Sequence, residues 1–387
     1  MVARLAHNQK VVSNGSSPTS ATNQDFFVMK VAVIGTGNVG VAIAADLSIN
    51  GHDVTLVKSS SVKSETFDRL LKNANHVWLK EDGEYKETYI SRVSNMLCDI
   101  EDAEVVIVTI QSIYHDELYK KISQYLRGEQ VVLVICSYLS SFYLAKYCQE
   151  LPSIAEATGP YLEGRVELED MPNEVVFRVG CRLTNSPLSV FHEHRRKETM
   201  EKLKSLYVGL NDSLSVIESA LLNPNLVIHT VGAVMSIPRI EYSDGNFCMY
   251  REAYSHKNKA TLNVMFKLDE EKKKVLIALN ARAIDILEAG GFLKGMESFY
   301  EYSESEDRAI SPTSIHSRYI TEDVSQGLVL LESIAHHVGI DVPVTTSLID
   351  LAGAALGVDF RKEGRSIYSL DAVRFIDHLT GRKHGCK

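Results

Sequence analysis

The first half of the chain alternates short apolar runs with segments of helical pattern. Four of the runs are continuously apolar, which is typical of strands that are buried on both faces of a parallel sheet; they span residues 30–35, 52–57, 103–110 and 130–137. The segment 38–51 between the first two has a helical pattern and ends in glycine. Two further strand-like pieces, residues 165–170 and 174–187, are predicted to form the trailing edge of the same domain. The pattern therefore predicts an α/β domain with a parallel sheet covered on both faces.

The second half of the chain has a different pattern. After about residue 205, apolar residues recur at helical spacing in long segments that end in glycine, namely 270–290, 323–339 and 344–357. We predict a leader over residues 1–28, a parallel-sheet domain over 29–205 and a mainly α-helical domain over 206–387. The leader is rich in Ser, Asn and Thr and has no apolar core, so it is predicted to be disordered.

Composition and charge narrow the class of protein. The 387 residues include 41 basic and 50 acidic side chains, a net charge of −9, which argues against a general nucleic-acid surface. No apolar run is long enough to span a bilayer. The six cysteines have no repeated spacing and are predicted to be reduced thiols. These features predict a cytoplasmic protein without a membrane partner.

A complete GxGxxG motif lies between the first strand and the first helix. In Gly35-Thr36-Gly37-Asn38-Val39-Gly40, the first glycine permits the turn, the second lets a pyrophosphate approach, and the third lets the helix pack on the strand. The residues predicted to bind the cofactor here are Gly35, Gly37, Asn38, Val39 and Gly40. Because the motif has the required strand–turn–helix context, we predict a Rossmann-type dinucleotide-binding domain.

The end of the second strand predicts which nicotinamide cofactor is preferred. A carboxylate there would bind the ribose hydroxyls of NAD, but this strand is followed by Lys58 and Ser59. A cation and a hydroxyl suit the 2′-phosphate of NADP instead. NADP(H) is therefore favoured over NAD(H), with the alternative that Lys58 only points into solvent.

His229 is the candidate for proton transfer. Hydride transfer to or from a nicotinamide requires a group that exchanges a proton, and histidine serves because its pKa lies near working pH. A carboxylate should orient its ring, and an arginine should bind a substrate carboxylate. A histidine that follows an apolar run, residues 226–228, is equally compatible with a buried structural role.

Four segments resemble the octopine/nopaline (opine) dehydrogenase family. They are the Asn-Pro-Asn turn with His229 and the following PRIE (218–241), the segment with YREA (244–255), the segment with RYITED (317–352) and the closing GRSIYSL (364–370). With the glycine loop, the resemblance covers residues 29–379. The chain departs from the family pattern at Pro238, at Ala253 and at the end of the third strand, which lacks the family's Pro-Ala.

The resemblance implies roles for individual residues. It makes His229 the acid/base residue, Asp323 its carboxylate partner, and Arg318 the residue that binds the keto-acid carboxylate. Asn225, Tyr250 and Arg251 are further candidates for substrate binding. No bound metal is predicted, because residues 192–198 are a charged helix start and the adjacent His336 and His337 point in different directions.

The implied reaction is a reductive condensation between the amino group of an amino acid, or an amine derived from one, and an α-keto acid such as pyruvate. A metallophore product and a homodimer formed through apolar C-terminal helices are left open. A simple keto-acid or alcohol reductase, of the ketopantoate reductase or glycerol-3-phosphate dehydrogenase type, is the first alternative; such enzymes use a lysine, and Lys257 and Lys259 lie in no convincing context. A non-catalytic nucleotide sensor is the second alternative.

Overall fold

The structure, a computed structural model, describes residues 28–168, 170–305, 308 and 310–381. The predicted disordered leader lies outside these residues except for Val28, and so does Cys386. The five described cysteines are all free thiols.

In the part of the chain that the structure describes, twelve strands form two sheets. In chain order the strands are β1 Lys30–Ile34, β2 Asp53–Val57, β3 His76–Glu81, β4 Glu84–Tyr89, β5 Arg92–Ser94, β6 Val105–Val108, β7 Val131–Ile135, β8 Ser153–Ala157, β9 Leu162–Glu167, β10 Val176–Arg182, β11 Ser186–Val190 and β12 Leu210–Asp212. The main sheet has the order β12-β11-β8-β7-β6-β1-β2-β5, and the second sheet has the order β4-β3-β10-β9.

Helices cover the main sheet and build the second half of the chain. In chain order they are α1 Asn38–Ile49, α2 Glu65–Lys72, α3 His115–Ile122, α4 Ser141–Tyr147, α5 Arg196–Leu206, α6 Val216–Leu221, α7 Asn225–Val234, α8 Ile237–Tyr242, α9 Met249–Ala253, α10 Lys259–Ala278, α11 Ile286–Ala289, α12 Met296–Ser303, α13 Arg318–Thr321, α14 Val329–Val338, α15 Pro343–Leu356, α16 Phe360–Glu363 and α17 Val373–Thr380. A π-helical segment, Asp323–Leu328, joins α13 to α14. Short 3₁₀ turns occur at Leu97–Ile100, Ser112–Tyr114, Ser123–Tyr125 and Glu193–Arg195.

The main sheet confirms the predicted fold class, a parallel Rossmann-type sheet followed by a mainly α-helical domain. The central strands β2, β1, β6, β7 and β8 are parallel, and their apolar residues are covered on both faces. Only the pairing of β11 with β8 is antiparallel within this sheet. The last strand, β12, lies C-terminal to the boundary that we predicted at residue 205, so the sheet extends slightly further along the chain.

The second sheet was not predicted as a separate layer. The strand-like pieces at residues 165–170 and 174–187 contribute β9 and β10, which pair with each other, and β10 pairs with β3 of the β3–β4 hairpin. The end of the second piece begins β11, which lies in the main sheet as predicted. This sheet packs on α1, where Arg182 of β10 forms an ion pair with the buried Asp46 at 2.7 Å. Helix α1 is thus held between two sheets.

The helical half has its own continuous apolar core, which is built from α6–α17. Within the described residues, no helix is both long enough and apolar enough to cross a bilayer.

Candidate active site

In the glycine-rich loop between β1 and α1, the protein's own structure requires glycine at two positions, Gly35 and Gly40. At the third, Gly37, there is free space beside the backbone. Gly35 has a φ of +123°, and a Cβ on Gly40 would lie 1.8 Å from the carbonyl oxygen of Gly35. A Cβ on Gly37 would meet nothing within 4 Å. Because Gly37 is exposed and directly precedes α1, open space lies beside the first N–H groups of that helix. The loop therefore fits a pyrophosphate at a helix N-terminus.

The loop also lies where the strand order of the main sheet reverses. Strand β1 has β2 on one side and β6 on the other. From β1 the chain adds strands β2 and β5 on one side, and it then crosses back to add β6, β7 and β8 on the other side. In open α/β sheets, ligands bind in the crevice at this point, outside the carboxyl ends of the strands.

The side chains of Asn38 and Val39 have structural roles in the loop. Asn38 Oδ1 accepts a hydrogen bond from the N–H of Val166 at 2.9 Å, which ties the start of α1 to β9. Val39 is half-buried and packs against the core of the nucleotide domain. We therefore predict that both residues contribute to cofactor binding through their backbone N–H groups.

Lys58 and Ser59 lie directly after β2, where the adenosine ribose would be recognised. The ammonium group of Lys58 hydrogen-bonds to the carbonyl oxygen of Ser60 and lies 5.6 Å from the centre of the Phe67 ring. Both Lys58 and Ser59 are half-buried. The cation is thus held against its own loop at the end of the strand.

His229 lies on a buried helix that starts at the Asn-Pro-Asn turn. Asn223 Oδ1 accepts a hydrogen bond from the N–H of Asn225 at 3.0 Å, and Pro224 supplies a helical φ for the first turn. The apolar run that follows is the buried surface of α7, and His229 itself is only 3% exposed. Asn225, a candidate substrate ligand, is half-buried at the beginning of this helix.

The structure brings His229 and Asp323 together, although 94 positions separate them in the chain. Their Nδ1 and Oδ2 atoms are 2.8 Å apart, and both side chains are almost completely buried. Since a carboxylate only accepts hydrogen bonds, Nδ1 carries the proton that it donates to Asp323. Nε2 is then the nitrogen that can exchange a proton with a substrate.

Tyr319, which the sequence did not predict as a site residue, stacks its ring on the imidazole of His229. The ring centres are 3.8 Å apart and the planes are inclined by 7°. Tyr319 follows Arg318 in the RYITED segment, which the sequence had indicated as part of the site. Its contact with His229, however, depends on how α13 packs on α7. This stacking fixes the plane of the imidazole, and the hydrogen bond to Asp323 fixes its rotation within that plane.

Burial and charge act in opposite directions on His229. Burial lowers its pKa below the ordinary value, and the hydrogen bond and charge of Asp323 oppose this, while the positive charge of Arg318 lowers the pKa further. Burial destabilises the charged imidazolium, and the neutral imidazole forgoes the attraction of Asp323. Each protonation state therefore carries a cost, and a residue that both gives and takes a proton requires such a balance.

Arg318 forms an ion pair with the carboxylate of Glu322, which was not among the predicted site residues. Its Nη1 lies 3.4 Å from Glu322 Oε2, and the side chain is 40% exposed. Glu322 accepts hydrogen bonds from the N–H of Ser112 at 2.6 Å and from its hydroxyl at 2.8 Å. Ser112 follows β6, so this contact places Arg318 at the carboxyl edge of the main sheet. The nearby carboxylates Asp323 and Glu322 raise the pKa of Arg318, which outweighs desolvation, so the guanidinium stays charged.

Tyr138 joins the two domains at the same edge of the sheet. It follows β7, and its hydroxyl donates a hydrogen bond to Asp323 Oδ1 at 2.9 Å. The His229–Asp323 pair thus lies beside the carboxyl ends of β6 and β7, next to the crevice that the glycine loop opens into.

The other predicted substrate ligands occupy different positions. Tyr250 is half-buried and packs edge-to-face on Tyr302 at 5.2 Å between ring centres. Its neighbour Arg251 is exposed and forms no hydrogen bond or ion pair with the described residues. Glu252, the next residue, forms an ion pair with Arg239 at 2.8 Å and links the PRIE and YREA segments.

Within the described residues, no group of three or more His, Cys, Asp or Glu side chains is arranged to hold a metal ion. Lys257 and Lys259, which a lysine-dependent reductase would have to place in the cleft, are both exposed.

Known proteins resemble both halves of the chain. Residues 213–356 match the family described as NAD/NADP octopine/nopaline dehydrogenase, alpha-helical domain, and residues 31–136 match ketopantoate reductase PanE/ApbA. Vitopine synthase of Allorhizobium ampelinum is 23% identical over 91% of this chain and 99% of its own length. Opine dehydrogenase of Arthrobacter sp. (strain 1C) is 24% identical over 88% of this chain and 94% of its own length.

Solved structures show the same fold at low sequence identity. Octopine dehydrogenase with NADH and L-arginine has a TM-score of 0.69, with 16% identity over 93% of this chain and 100% of that one. Yersinopine dehydrogenase with NADP⁺ has a TM-score of 0.67, with 13% identity over 92% of this chain and 99% of that one.

Proposed function

Because the chain belongs to the octopine/nopaline dehydrogenase family and is an NAD(P)-dependent oxidoreductase acting on CH–NH bonds, we propose that it condenses the amino group of an amino acid, or of an amine derived from one, with an α-keto acid and reduces the resulting imine. The observation that carries this proposal is the buried His229–Asp323 pair beside the charged Arg318 at the nucleotide crevice. A cytoplasmic location and a homodimer, predicted from the sequence, belong to the same proposal.

His229 handles protons at two stages of this reaction. Nε2 accepts a proton from the amine as it attacks the keto carbon, which gives a carbinolamine. Nε2 then donates this proton to the carbinolamine hydroxyl, which leaves as water and forms the protonated imine. When bound, the reduced nicotinamide supplies the hydride that reduces the imine carbon. Asp323 keeps Nδ1 protonated throughout, so that Nε2 alone exchanges protons with the substrate.

Arg318 binds and orients the keto acid in this proposal. Its guanidinium stays charged, is partly exposed, and can engage a carboxylate in a bidentate manner. Glu322 limits its movement from one side, and Ser112 holds Glu322 in turn. Such orientation places the keto carbon within reach of the amine and of Nε2.

The substrates are proposed at the level of chemical class. Octopine dehydrogenase structures contain L-arginine, pyruvate or agmatine. We therefore take pyruvate and 2-oxoglutarate as keto acids, and basic amino acids and diamines among the amines, as the first panel. Tyr250, Asn225 and Arg251 stay predictions as substrate ligands.

Oxidation of NADPH should require both a keto acid and an amine. Assays with each keto acid, with and without each amine, give this result directly, and the condensation product is identified by mass spectrometry. Turnover with a keto acid alone would support the simple reductase instead, which the match of residues 31–136 to ketopantoate reductase keeps as the second candidate. Nucleotide binding with no turnover on any pair would favour the sensor.

We propose that NADPH is preferred over NADH and that Lys58 causes the preference. Lys58→Asp should reverse it by about ten- to a hundredfold in kcat/KM, because an ammonium–phosphate contact is replaced by charge repulsion. Steady-state kinetics with each cofactor measure the change. Lys72→Asp, at an exposed lysine of the neighbouring α2, is the control that alters the same charge without the predicted contact. Retention of the NADPH preference in Lys58→Asp would contradict the role of Lys58.

A further inference from the structure

Tyr138, a residue of the nucleotide domain, donates a hydrogen bond to the carboxylate of the His229–Asp323 pair. It is 1% exposed, and its hydroxyl lies 2.9 Å from Asp323 Oδ1, while Asp323 Oδ2 accepts from His229 Nδ1 at 2.8 Å. Each oxygen of the carboxylate thus has one partner, and the two partners come from different domains.

The direction of the hydrogen bond from Tyr138 is fixed by its surroundings. Burial and the charge of Asp323 raise the pKa of Tyr138 well above the ordinary range, so the phenol keeps its proton throughout the working pH range. A protonated phenol beside a carboxylate donates. The carboxylate therefore shares its negative charge between an imidazole N–H and a phenol O–H.

The backbone around Tyr138 is held in an unfavourable conformation. Cys136, Tyr138 and Leu139 have φ values of +56°, +47° and +63°, in the left-handed region that residues with side chains rarely adopt. Such strain persists only where the surrounding structure enforces it, and it is concentrated at functional sites. A relaxed loop after β7 would direct the phenol elsewhere.

Arg365 of the helical domain enforces this conformation. Its side chain is 1% exposed, and its Nη1 donates to the carbonyl oxygens of Ser137 and Tyr138 at 2.6 and 2.7 Å. The same residue's backbone N–H donates to the carbonyl of Ser325, in the π-helical segment that begins at Asp323, at 2.9 Å. Arg365 thus connects the loop that carries Tyr138 to the segment that carries Asp323.

The π-helical segment also provides the space for the phenol ring. A Cβ on Gly327 would lie 3.2 Å from the ring of Tyr138, so the ring packs directly on the helix backbone. π-helical segments are rare and are frequently found at functional sites. Here the segment places Asp323 within hydrogen-bonding distance of both His229 and Tyr138, and its Gly327 leaves space for the Tyr138 ring.

We propose that Tyr138 is a positioning residue that completes the catalytic pair across the domain boundary, by orienting Asp323 and by reducing the negative charge that His229 meets. This inference rests on the proposed role of His229 as the acid/base residue. The charged and titratable groups that face the pair come from both domains. They are Arg318, Tyr319 and Glu322 of the helical domain and Cys136 of the nucleotide domain, and all four are retained in the test.

Tyr138→Phe should lower kcat about tenfold, the loss expected for a hydrogen bond to a charged group, with little change in either KM or in NADPH affinity. Without the phenol O–H, Asp323 holds the imidazolium more strongly, so the pKa of His229 should rise. Because the overall rate of imine formation and reduction depends on the protonation of His229, the pH at which this rate is half of its maximum should also rise. Gly327→Ala, which displaces the ring without removing the hydroxyl, should produce a smaller change in the same direction.

The titration of His229 can be measured without turnover. In protein with ¹⁵N-labelled histidine, the His229 signals are identified by their loss in His229→Ala and followed with pH in wild type and Tyr138→Phe. Tyr119→Phe is the matched control, since Tyr119 is also fully buried but lies in the core of the nucleotide domain. An unchanged or lowered pKa of His229 in Tyr138→Phe, or kinetics like those of Tyr119→Phe, would overturn the inference. Full turnover in His229→Ala would instead overturn the proposed acid/base role of His229, on which this inference rests, and turnover that needs no amine would overturn the proposed function.

Discussion

His229→Ala should lose turnover by a factor of about 10² to 10⁴, the usual contribution of a positioned acid/base group. The affinity for NADPH should not change, because His229 lies on α7 of the helical domain and the glycine loop lies on the nucleotide domain. Single-turnover kinetics with keto acid and amine measure the loss, and calorimetric titration with NADPH measures the affinity. Turnover at the wild-type rate would remove His229 from the mechanism.

A second histidine provides a matched control for this variant. His256 lies in the same domain and also pairs with a carboxylate, that of Glu304, at 2.6 Å, but it is exposed. His256→Ala should retain full turnover. Asp323→Asn tests the partner, because one carboxylate oxygen becomes an NH2 group and the side chain can no longer accept from both Tyr138 and His229 Nδ1. The variant should reduce turnover strongly while preserving the shape of the site.

Gly37→Ala should weaken nucleotide binding at least tenfold while leaving the thermal stability of the protein without nucleotide almost unchanged. The added methyl meets nothing within 4 Å in the protein, so the fold is not strained. It occupies the space through which a pyrophosphate approaches the start of α1. Calorimetric titration with NADPH and a thermal melt of the nucleotide-free protein give the two numbers.

Gly40→Ala is the informative contrast. Its Cβ would lie 1.8 Å from the carbonyl oxygen of Gly35, so the loop must move, and both stability and nucleotide affinity should fall. If Gly37→Ala also lowered the melting temperature, or if it bound NADPH like wild type, the assignment of Gly37 as the open position for the pyrophosphate would be wrong.

The sequence predicted the main sheet because its signal is local. Each central strand is continuously apolar, and such runs separated by helical segments permit few arrangements other than a parallel sheet covered on both faces. The glycine loop was equally readable, since Gly35 has a positive φ and Gly40 lies against the carbonyl oxygen of Gly35, which is near it in the chain. Helical periodicity defined the second half for the same reason.

The second sheet could not be predicted in this way. Strand β4 is exposed at five of its six positions and is rich in charge, so no hydrophobic pattern distinguishes it from a loop. Its pairing with β3 is a local hairpin, but the parallel pairing of β3 with β10 joins Trp78 to Val176, which are far apart in the chain. Such contacts are decided by packing on α1, which a linear pattern does not contain.

By itself, the sequence determined the fold class and predicted which residues carry the chemistry. The resemblance of the segments around His229, Arg318 and Asp323 selected the acid/base residue, its partner and the residue for the keto acid, because residue types at fixed spacing are preserved in a linear motif. The tertiary structure decided what those residues touch. Tyr319 stacks on His229, Glu322 holds Arg318, and Tyr138 reaches Asp323 from the other domain. These contacts arise only when α13 and its π-helical continuation pack between α7 and the carboxyl edge of the sheet, so no local pattern could have specified them.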